Sequence, residues 1–258
     1  MSTQSVSESH NVCIILAGGF GTRLRSVIPD KPKCLAPVDN KSFLEILLGL
    51  LNHQGIDNFV LSLGHMANLV QEEVEKLRDE FNISYVIEDT PLGTGGAVLH
   101  VMNTLNIEEA MVTNGDTFLG GDLGAILRPL SPEKGEFCRM AVIEVQDMFR
   151  YGGVDLIGDR IVGFREKGQT GVGLINAGFY RINRQTFFPL QPGESFSFET
   201  LLMPDLANRK NVTGSVIDGD FIDIGVPEDY KKFCGQYQQL SSAEKRLSSL
   251  SVHHKLEC

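Results

Sequence analysis

The chain has 258 residues, 42% of them hydrophobic and 22% charged, and a formal net charge of -10, a globular profile with enough apolar residues for a substantial core. An acidic balance of this size argues against nonspecific nucleic-acid binding and against docking on an anionic membrane, since both need a basic face. The five cysteines show no Cys-x-x-Cys spacing, so neither a disulfide framework nor a zinc site is suggested and a reducing cytoplasm is the simpler context.

The first eleven residues are Ser-rich and polar, and no run approaches the roughly 18 apolar residues of a membrane helix. Neither export nor membrane insertion is expected. Val12 to Leu16 is a run of five apolar residues that reads as a short buried strand. It leads into Ala17-Gly18-Gly19-Phe20-Gly21-Thr22-Arg23, where glycines let the backbone reach positive φ and come close to a ligand. Such a loop aims amide N–H groups at phosphate oxygens. Arg23 adds a planar fork of donors, and Lys33, between Pro32 and the Leu35-Ala36-Pro37 turn, adds a compact mobile charge. The combination suits a triphosphate. It is not a Walker A loop, because no Gly-Lys-Ser/Thr occurs, and it is a poor dinucleotide fingerprint, because Leu24 replaces the third glycine. The plainer alternative is a tight strand-to-helix turn with both cations solvated.

Further on, Phe43 to Gln54 reads as an apolar helix stopped by Gly55, and Phe59 to Leu63 as a second buried strand. Ala67 to Phe81 sets Leu69, Val70, Val74 and Leu77 on one helical face, and Ile83 to Ile87 gives a third strand. Pro91-Leu92-Gly93-Thr94-Gly95-Gly96 opens a helix from Ala97 to Leu105, offering free backbone amides to a base and ribose or serving as a plain helix entry. Ala110 to Thr113 is a fourth strand, ending in Asn114-Gly115-Asp116. Four parallel strands separated by helices predict a doubly wound α/β half.

From about Phe137 the strand candidates crowd together: Arg139 to Val145, Gly153 to Ile157, Ile161 to Arg165 and Gly173 to Arg181. They suggest a mostly antiparallel cap for a second substrate. Phe198 to Asn208 reads as a helix, Val212 to Ile217 and Phe221 to Gly225 as strands, and Pro227 to about Gln239 as a helix with proline in its first turn. Residues 241–258 read as a mobile or partner-dependent tail. Its adjacent His253 and His254 do not share a helix face and are not expected to hold a metal.

Asp116 stands just past a buried strand, at the carboxyl edge where ligands collect in an open α/β sheet. Asp223 also ends a strand. A hard dication takes one or two carboxylates plus phosphate oxygens and waters, so the two aspartates can share one Mg²⁺. The alternative is that each caps the turn that follows it. Asp218-Gly219-Asp220 spells the acidic pattern of metal-dependent glycosyltransferases, but after the cap segment a glycine between two acids is the better turn signal.

Taken together, residues 16–24 (Leu-Ala-Gly-Gly-Phe-Gly-Thr-Arg-Leu) and 29–38 (Pro-Asp-Lys-Pro-Lys-Cys-Leu-Ala-Pro-Val) resemble the two-part signature of the sugar-1-phosphate nucleotidylyltransferases. The likeness is closest to the heptose-1-phosphate guanylyltransferase branch and runs from about residue 11 to about 235. It implies a single nucleotidyltransferase domain over 1–240: a doubly wound, Rossmann-like mixed sheet of the GT-A-like kind, with a nucleotide-binding half at 11–135 and a strand-rich sugar-binding cap at 136–225. It further implies that Leu16, Ala17, Gly18, Gly19, Gly21, Thr22, Gly93, Thr94 and Gly95 line the nucleotide, that Arg23, Lys33 and Asp116 are catalytic, and that Asp116 and Asp223 bind Mg²⁺. Tyr151, Gly153, Glu166, Lys167, Asn176 and Glu199 would hold the sugar phosphate, Lys167 on the phosphate and Glu166 on the sugar.

From the residues alone, Arg165-Glu166-Lys167 is an exposed charged turn and Glu199 a first-turn helix acid. Two departures stand out. Thr94-Gly95-Gly96 replaces a segment in which thymidylyl- and uridylyltransferase relatives commonly carry glutamine, and Gly168 stands where proline often follows the lysine.

The reaction implied is in-line attack of a sugar 1-phosphate oxygen on the α-phosphorus of an NTP, releasing pyrophosphate and leaving an NDP-sugar. GTP with D-glycero-α-D-manno-heptose 1-phosphate is the first choice, for surface polysaccharide or S-layer glycan synthesis. Another NTP with a hexose 1-phosphate is the near alternative, and a nucleotide-sugar-binding regulatory subunit is the alternative from a different class. Retention of Arg23, Lys33, Asp116 and Asp223 favours an enzyme. No nucleic-acid or membrane partner is expected, and a homo-oligomer is compatible with the sequence.

Overall fold

Strand β1 (Val12–Leu16) is the centre of the nucleotide-binding half, because its side chains are apolar on both faces and both faces are covered. Cys13 and Ile15 join one buried cluster, Val12 and Ile14 the other. The computed structural model describes residues 11–239; the expected tail, with His253, His254 and Cys258, lies outside the described residues. Helix α1 (Phe43–His53) and helix α2 (Ala67–Leu77) pack on the Cys13 face, while helix α3 (Gly93–Thr104) packs on the Val12 face. Between them, β4 (Asn58–Leu63), β5 (Asn82–Ile87) and β6 (Glu109–Asn114) complete a parallel set ordered β5-β4-β1-β6. The doubly wound half expected from the alternation of strands and helices is present.

Several boundaries move. Helix α3 begins at Gly93, so the glycines expected to precede it form its first turn. Helix α2 ends at Leu77, short of Phe81. A small hairpin of β2 (Pro37–Val38) and β3 (Lys41–Ser42) turns at Asp39, which has φ +55. Strand β7 (Thr117–Leu119), directly after Asp116, and helix α4 (Gly124–Leu127) were not foreseen.

The strand-rich region is not a cap laid over the sheet; it is the sheet's own continuation. Strand β11 (Gly173–Asn183) pairs antiparallel with β6 on one edge through Phe179–Asn183 and with β8 (Cys138–Val145) on the other from Gly173 to Ile182, while Ile175 also meets Gly153 of β9 (Gly153–Ile157). Within the β11–β8 ladder a register shift between Asn176 and Tyr180, with Gly178 at φ +69, bends the 11-residue strand, whose amino-terminal part continues past the end of β6 into the barrel. Strand β12 (Val212–Val216) runs parallel to β8, β10 (Arg160–Arg165) joins β12 and β9, and β9 returns to β11. Five strands thus close into a small barrel sharing β11 with the main sheet.

Beyond the barrel, a widened helical turn (Phe198–Leu202) runs into α5 (Met203–Asn208). Strand β13 (Phe221–Asp223) then pairs with β7, and residues 227–239 form α6. Among the described residues no helix is long and apolar enough to cross a membrane.

Candidate active site

The carboxyl ends of β1, β4, β5 and β6 open on a cleft of about 510 Å³. Its floor is the glycine loop, held by Ala17 N–H donating to Ser62 O at 2.9 Å and His65 N–H donating to Gly18 O at 3.2 Å. A Cβ on Gly18 would lie 3.0 Å from Gly64 N, so this approach of two chains needs glycine. Leu16, Ala17, Gly18, Gly19, Lys33, Gly93, Thr94 and Asp116 line the cleft. Gly21, at φ +64, turns the loop toward Leu24, which is buried and anchors it; Gly21, Thr22 and Arg23 stand outside the lining.

Lys33 enters from a helical turn fixed by buried Cys34 and Leu35, and its Nζ donates to Asp116 Oδ2 at 2.7 Å. Asp223 is brought in by the β7–β13 pair, whose ladder continues as Ile224 N–H donating to Asp116 O at 2.9 Å. A Cβ on Gly225 would fall 2.7 Å from Lys33 Nζ, 2.8 Å from Asp223 Oδ1 and 3.0 Å from Asp116 Oδ2. One ammonium and two carboxylates therefore converge on a space that only glycine leaves open. Burial, and then the Asp116 charge, push the Asp223 carboxyl above its usual range, as expected of an acid facing another acid. Arg23 Nη2 is 3.8 Å from Asp223 Oδ2 and 62% exposed, a rim position free to move.

Two oxygen ligands facing one small space fit a hard dication of the Mg²⁺ kind, which takes one or two carboxylates and leaves its other positions to phosphate and water. Among the described residues no group of three or more His, Cys, Asp or Glu forms a fuller metal cage.

Gly95 is placed elsewhere. Its amide donates to Phe196 O at 3.0 Å, and a Cβ there would come within 2.2 Å of the Phe196 ring. The expectation that this segment offers free amides to a nucleotide is corrected for Gly95 and Gly96, whose N–H groups both face the Phe196 carbonyl. The physical cause is tertiary: Phe196 arrives from a hundred positions downstream.

The six residues expected to hold the sugar phosphate stand on or near the barrel and outside the cleft's lining. Asn176 Nδ2 donates to Tyr180 Oη at 2.6 Å, and Gly178 N–H donates to Asn176 Oδ1 at 2.9 Å. Glu199 Oε2 accepts from Thr94 Oγ1 at 2.8 Å and from Ser197 Oγ at 3.1 Å, joining the cleft wall to the barrel side. Its charge, after burial, also raises the Tyr180 phenol, so Asn176 and Glu199 share one neighbourhood around Tyr180. Tyr151 packs edge-on to Phe221 at 5.6 Å under the Arg150 guanidinium, which bonds Asp229. Gly153 faces Arg165 across the β9–β10 ladder, and Glu166 and Lys167 are exposed in the turn after β10.

Among the cleft-wall residues that sequence reasoning did not assign to the site are His65, Asn114 and Glu88. His65 Nε2 lies 2.6 Å from Arg25 Nη2, and its ring lies 5.1 Å from that of Phe20. Glu88 follows β5 at the sheet's carboxyl edge, so the rule that singled out Asp116 points equally to it.

Residues 12–239 match the nucleotidyl transferase family. A D-glycero-alpha-D-manno-heptose 1-phosphate guanylyltransferase of Campylobacter jejuni is 39% identical over 224 residues, covering 85% of this chain and 97% of that one. Its namesake in Aneurinibacillus thermoaerophilus is 37% identical over 219 residues, covering 85% and 95%. Among solved structures, HddC from Yersinia pseudotuberculosis, also solved with GMP-PN, superposes at TM-score 0.76 and 33% identity over 88% of this chain and 99% of that one. With its cleft at the sheet's carboxyl edge and this likeness along nearly all of its described length, the chain belongs to the nucleotidyl transferase family and is a sugar-1-phosphate nucleotidyltransferase.

Proposed function

We propose that the enzyme joins GTP to D-glycero-α-D-manno-heptose 1-phosphate, forming GDP-heptose and pyrophosphate. The observation that carries the nucleotidyl-transfer chemistry is the convergence of Lys33, Asp116 and Asp223 on the space left by Gly225. The substrate pair is supported by the two relatives of that printed activity and by the GMP-PN complex of the Yersinia protein.

The attacking phosphate is already ionised, so no general base is needed and catalysis reduces to alignment and charge neutralisation. Asp116 and Asp223 would hold Mg²⁺, which when bound neutralises polyphosphate charge. Lys33, already at the mouth of that space, neutralises the α-phosphate. Arg23 swings from the rim onto the departing pyrophosphate. The glycine loop holds the remaining phosphates, and Tyr151, Gly153, Glu166, Lys167, Asn176 and Glu199 orient the sugar phosphate from the barrel side.

A mannose-1-phosphate reading shares the base and differs in the sugar; a putative mannose-1-phosphate guanyltransferase of Sulfolobus acidocaldarius is 32% identical over 85% of this chain and 61% of that one. Pyrophosphate release with each common NTP, against heptose, mannose and glucose 1-phosphates, separates the readings. GTP with the heptose phosphate is expected to give the highest kcat/KM. Faster turnover of mannose 1-phosphate, or of another nucleotide, overturns the proposed pair, and no release with any pair points to a regulatory binding role.

A further inference from the structure

The loop between β8 and β9 carries much of the sugar side. It holds Tyr151, and the turn bearing Glu166 and Lys167 hangs on it, Gly168 N–H donating to Phe149 O at 2.9 Å. This loop meets the segment that carries Asp223. The Tyr151 ring stands edge-on to Phe221 at 5.6 Å, and Arg150 bonds Asp229 in the first turn of α6. Arg150 Nη2 also donates to Tyr151 Oη at 2.6 Å, so one guanidinium holds the tyrosine and the helix acid together. From Asp229 back to Asp223 the chain is tightly bonded: Tyr230 N–H donates to Val226 O at 2.9 Å, and Gly225 N–H to Asp223 Oδ1 at 2.9 Å. Next to Asp229, the Tyr230 hydroxyl donates to the Pro37 carbonyl, just past the turn that bears Lys33. Adjacent side chains of α6 thus reach the sugar-side loop and the lysine turn.

We propose that Arg150 and Asp229 are positioning residues: their ion pair sets the sugar-side loop against the strand end bearing Asp223, and so aligns the incoming sugar 1-phosphate with the α-phosphate. This rests on the sugar-side reading of Tyr151, Glu166 and Lys167 above. In-line transfer depends steeply on the relative placement of the two reacting groups, a misplacement of about 1 Å costing about a hundredfold. The pair joins the two elements that bring those groups together. Arginine suits the task, since its planar fork serves two acceptors where an ammonium is a compact point charge. Two other roles compete. A mere staple of the fold predicts almost no effect, because an ion pair whose arginine is 44% exposed adds little to stability. A direct grip of Arg150 on the sugar phosphate makes no use of Asp229, and neutralising that acid would then free the arginine and tighten binding.

The test is steady-state pyrophosphate release with GTP and D-glycero-α-D-manno-heptose 1-phosphate, or with whichever pair wild type turns over faster. The variants are Arg150→Ala, Arg150→Lys, Asp229→Asn, the double Arg150→Ala/Asp229→Asn, and Tyr151→Ala, each with thermal melting as a fold check. Arg150→Ala and Asp229→Asn are each expected to raise the sugar-phosphate KM about tenfold and lower kcat about tenfold to hundredfold, leaving the nucleotide KM within about threefold. The double variant is expected to be worse than either single one by no more than about twofold, since both remove one contact. Arg150→Lys keeps a charge for Asp229 and is expected to recover part of the loss. Kinetics like wild type, or nucleotide and sugar phosphate weakened equally, show a staple and overturn the proposal. A harmful Arg150→Ala beside a harmless or tighter-binding Asp229→Asn shows a direct contact and overturns it too. If Arg150→Ala does not fold, Asp229→Asn decides by the same readings. Tyr151→Ala with an unaltered sugar-phosphate KM refutes the sugar-side reading itself. A Tyr151→Ala that loses the sugar phosphate, beside Arg150 and Asp229 variants that behave like wild type, refutes the positioning pair alone.

Discussion

Asp116 and Asp223 face each other across the space left by Gly225, with Lys33 bonded to the first and Arg23 only near the second. Burial and the neighbouring carboxylate raise the Asp223 carboxyl, so the folded protein binds that proton more tightly than the unfolded chain does. The stability linked to this group is therefore present at low pH and is lost as pH rises through the raised folded value. Without divalent cations, Asp223→Asn is expected to melt above wild type at pH 8, with the gap closing toward pH 4. Its kcat with metal is expected to fall roughly hundredfold or more. Calorimetry in chelator beside steady-state kinetics checks this, and a wild type that melts above the variant at pH 8 counts against it. Lys33, Asp116 and Asp223 were legible in the sequence because strand-end acids and a proline-framed lysine have local signatures. Glu88 was legible by the same rule yet sat before Asp89-Thr90-Pro91, where an acid passes for turn composition.

Helix α3 shows how an element can contradict its own propensities. Alanine normally improves a helical glycine by about 1 kcal/mol, but at Gly95 the new methyl would meet the Phe196 ring at 2.2 Å, and overpacking of that kind costs about 1–3 kcal/mol. Gly49 in α1 has nothing within 4 Å of the same position. Gly49→Ala is thus expected to stabilise by about 1 kcal/mol and Gly95→Ala to destabilise, measured by urea unfolding of the pair. Equal shifts of the same sign would show that packing against Phe196 does not set the glycine run. Ser42 caps α1, accepting from Glu45 N–H at 3.2 Å, and the local pattern marked α3 itself. It did not reveal that Gly93 to Gly96 serve a phenylalanine carbonyl and ring, since that contact spans a hundred residues.

Across the whole molecule, the parallel half followed from the alternation of strand and helix, whereas the barrel did not. Its closure rests on a bent β11 and on two junctions of one residue pair each, Arg160 with Thr213 and Ile175 with Gly153. Neither leaves a mark on hydrophobic periodicity. Within the barrel, Arg139 grips Glu136 through Nε and Nη2 at 2.9 and 2.7 Å, Thr213 Oγ1 donates to Glu136 Oε1 at 2.6 Å, and Arg139 Nη1 reaches the Ala125 and Arg128 carbonyls. This network links β8, β12 and the end of α4. Burial would raise the Glu136 carboxyl, but the bonds from Thr213 and Arg139 outweigh it and hold the group below its usual range. Its stabilisation is present above the unfolded value of about 4.3 and is lost as pH falls through the folded one. Glu136→Gln is expected to cost about 3–5 kcal/mol near neutral pH, with variant and wild type converging in strong acid. Denaturant melts at the two ends of that range test it, and a constant difference between them would contradict the assignment.

The β7–β13 pairing has a consequence for how the enzyme comes into being. The acid at 116 emerges before the barrel strands, and its counterpart at 223 only after they have been made and the chain has doubled back to β7. A ribosome-bound fragment that stops before β13 can carry the glycine loop and Lys33 but offers a divalent ion a single carboxylate. The space left by Gly225 thus acquires its second acid only when β13 reaches β7, more than a hundred residues after the first.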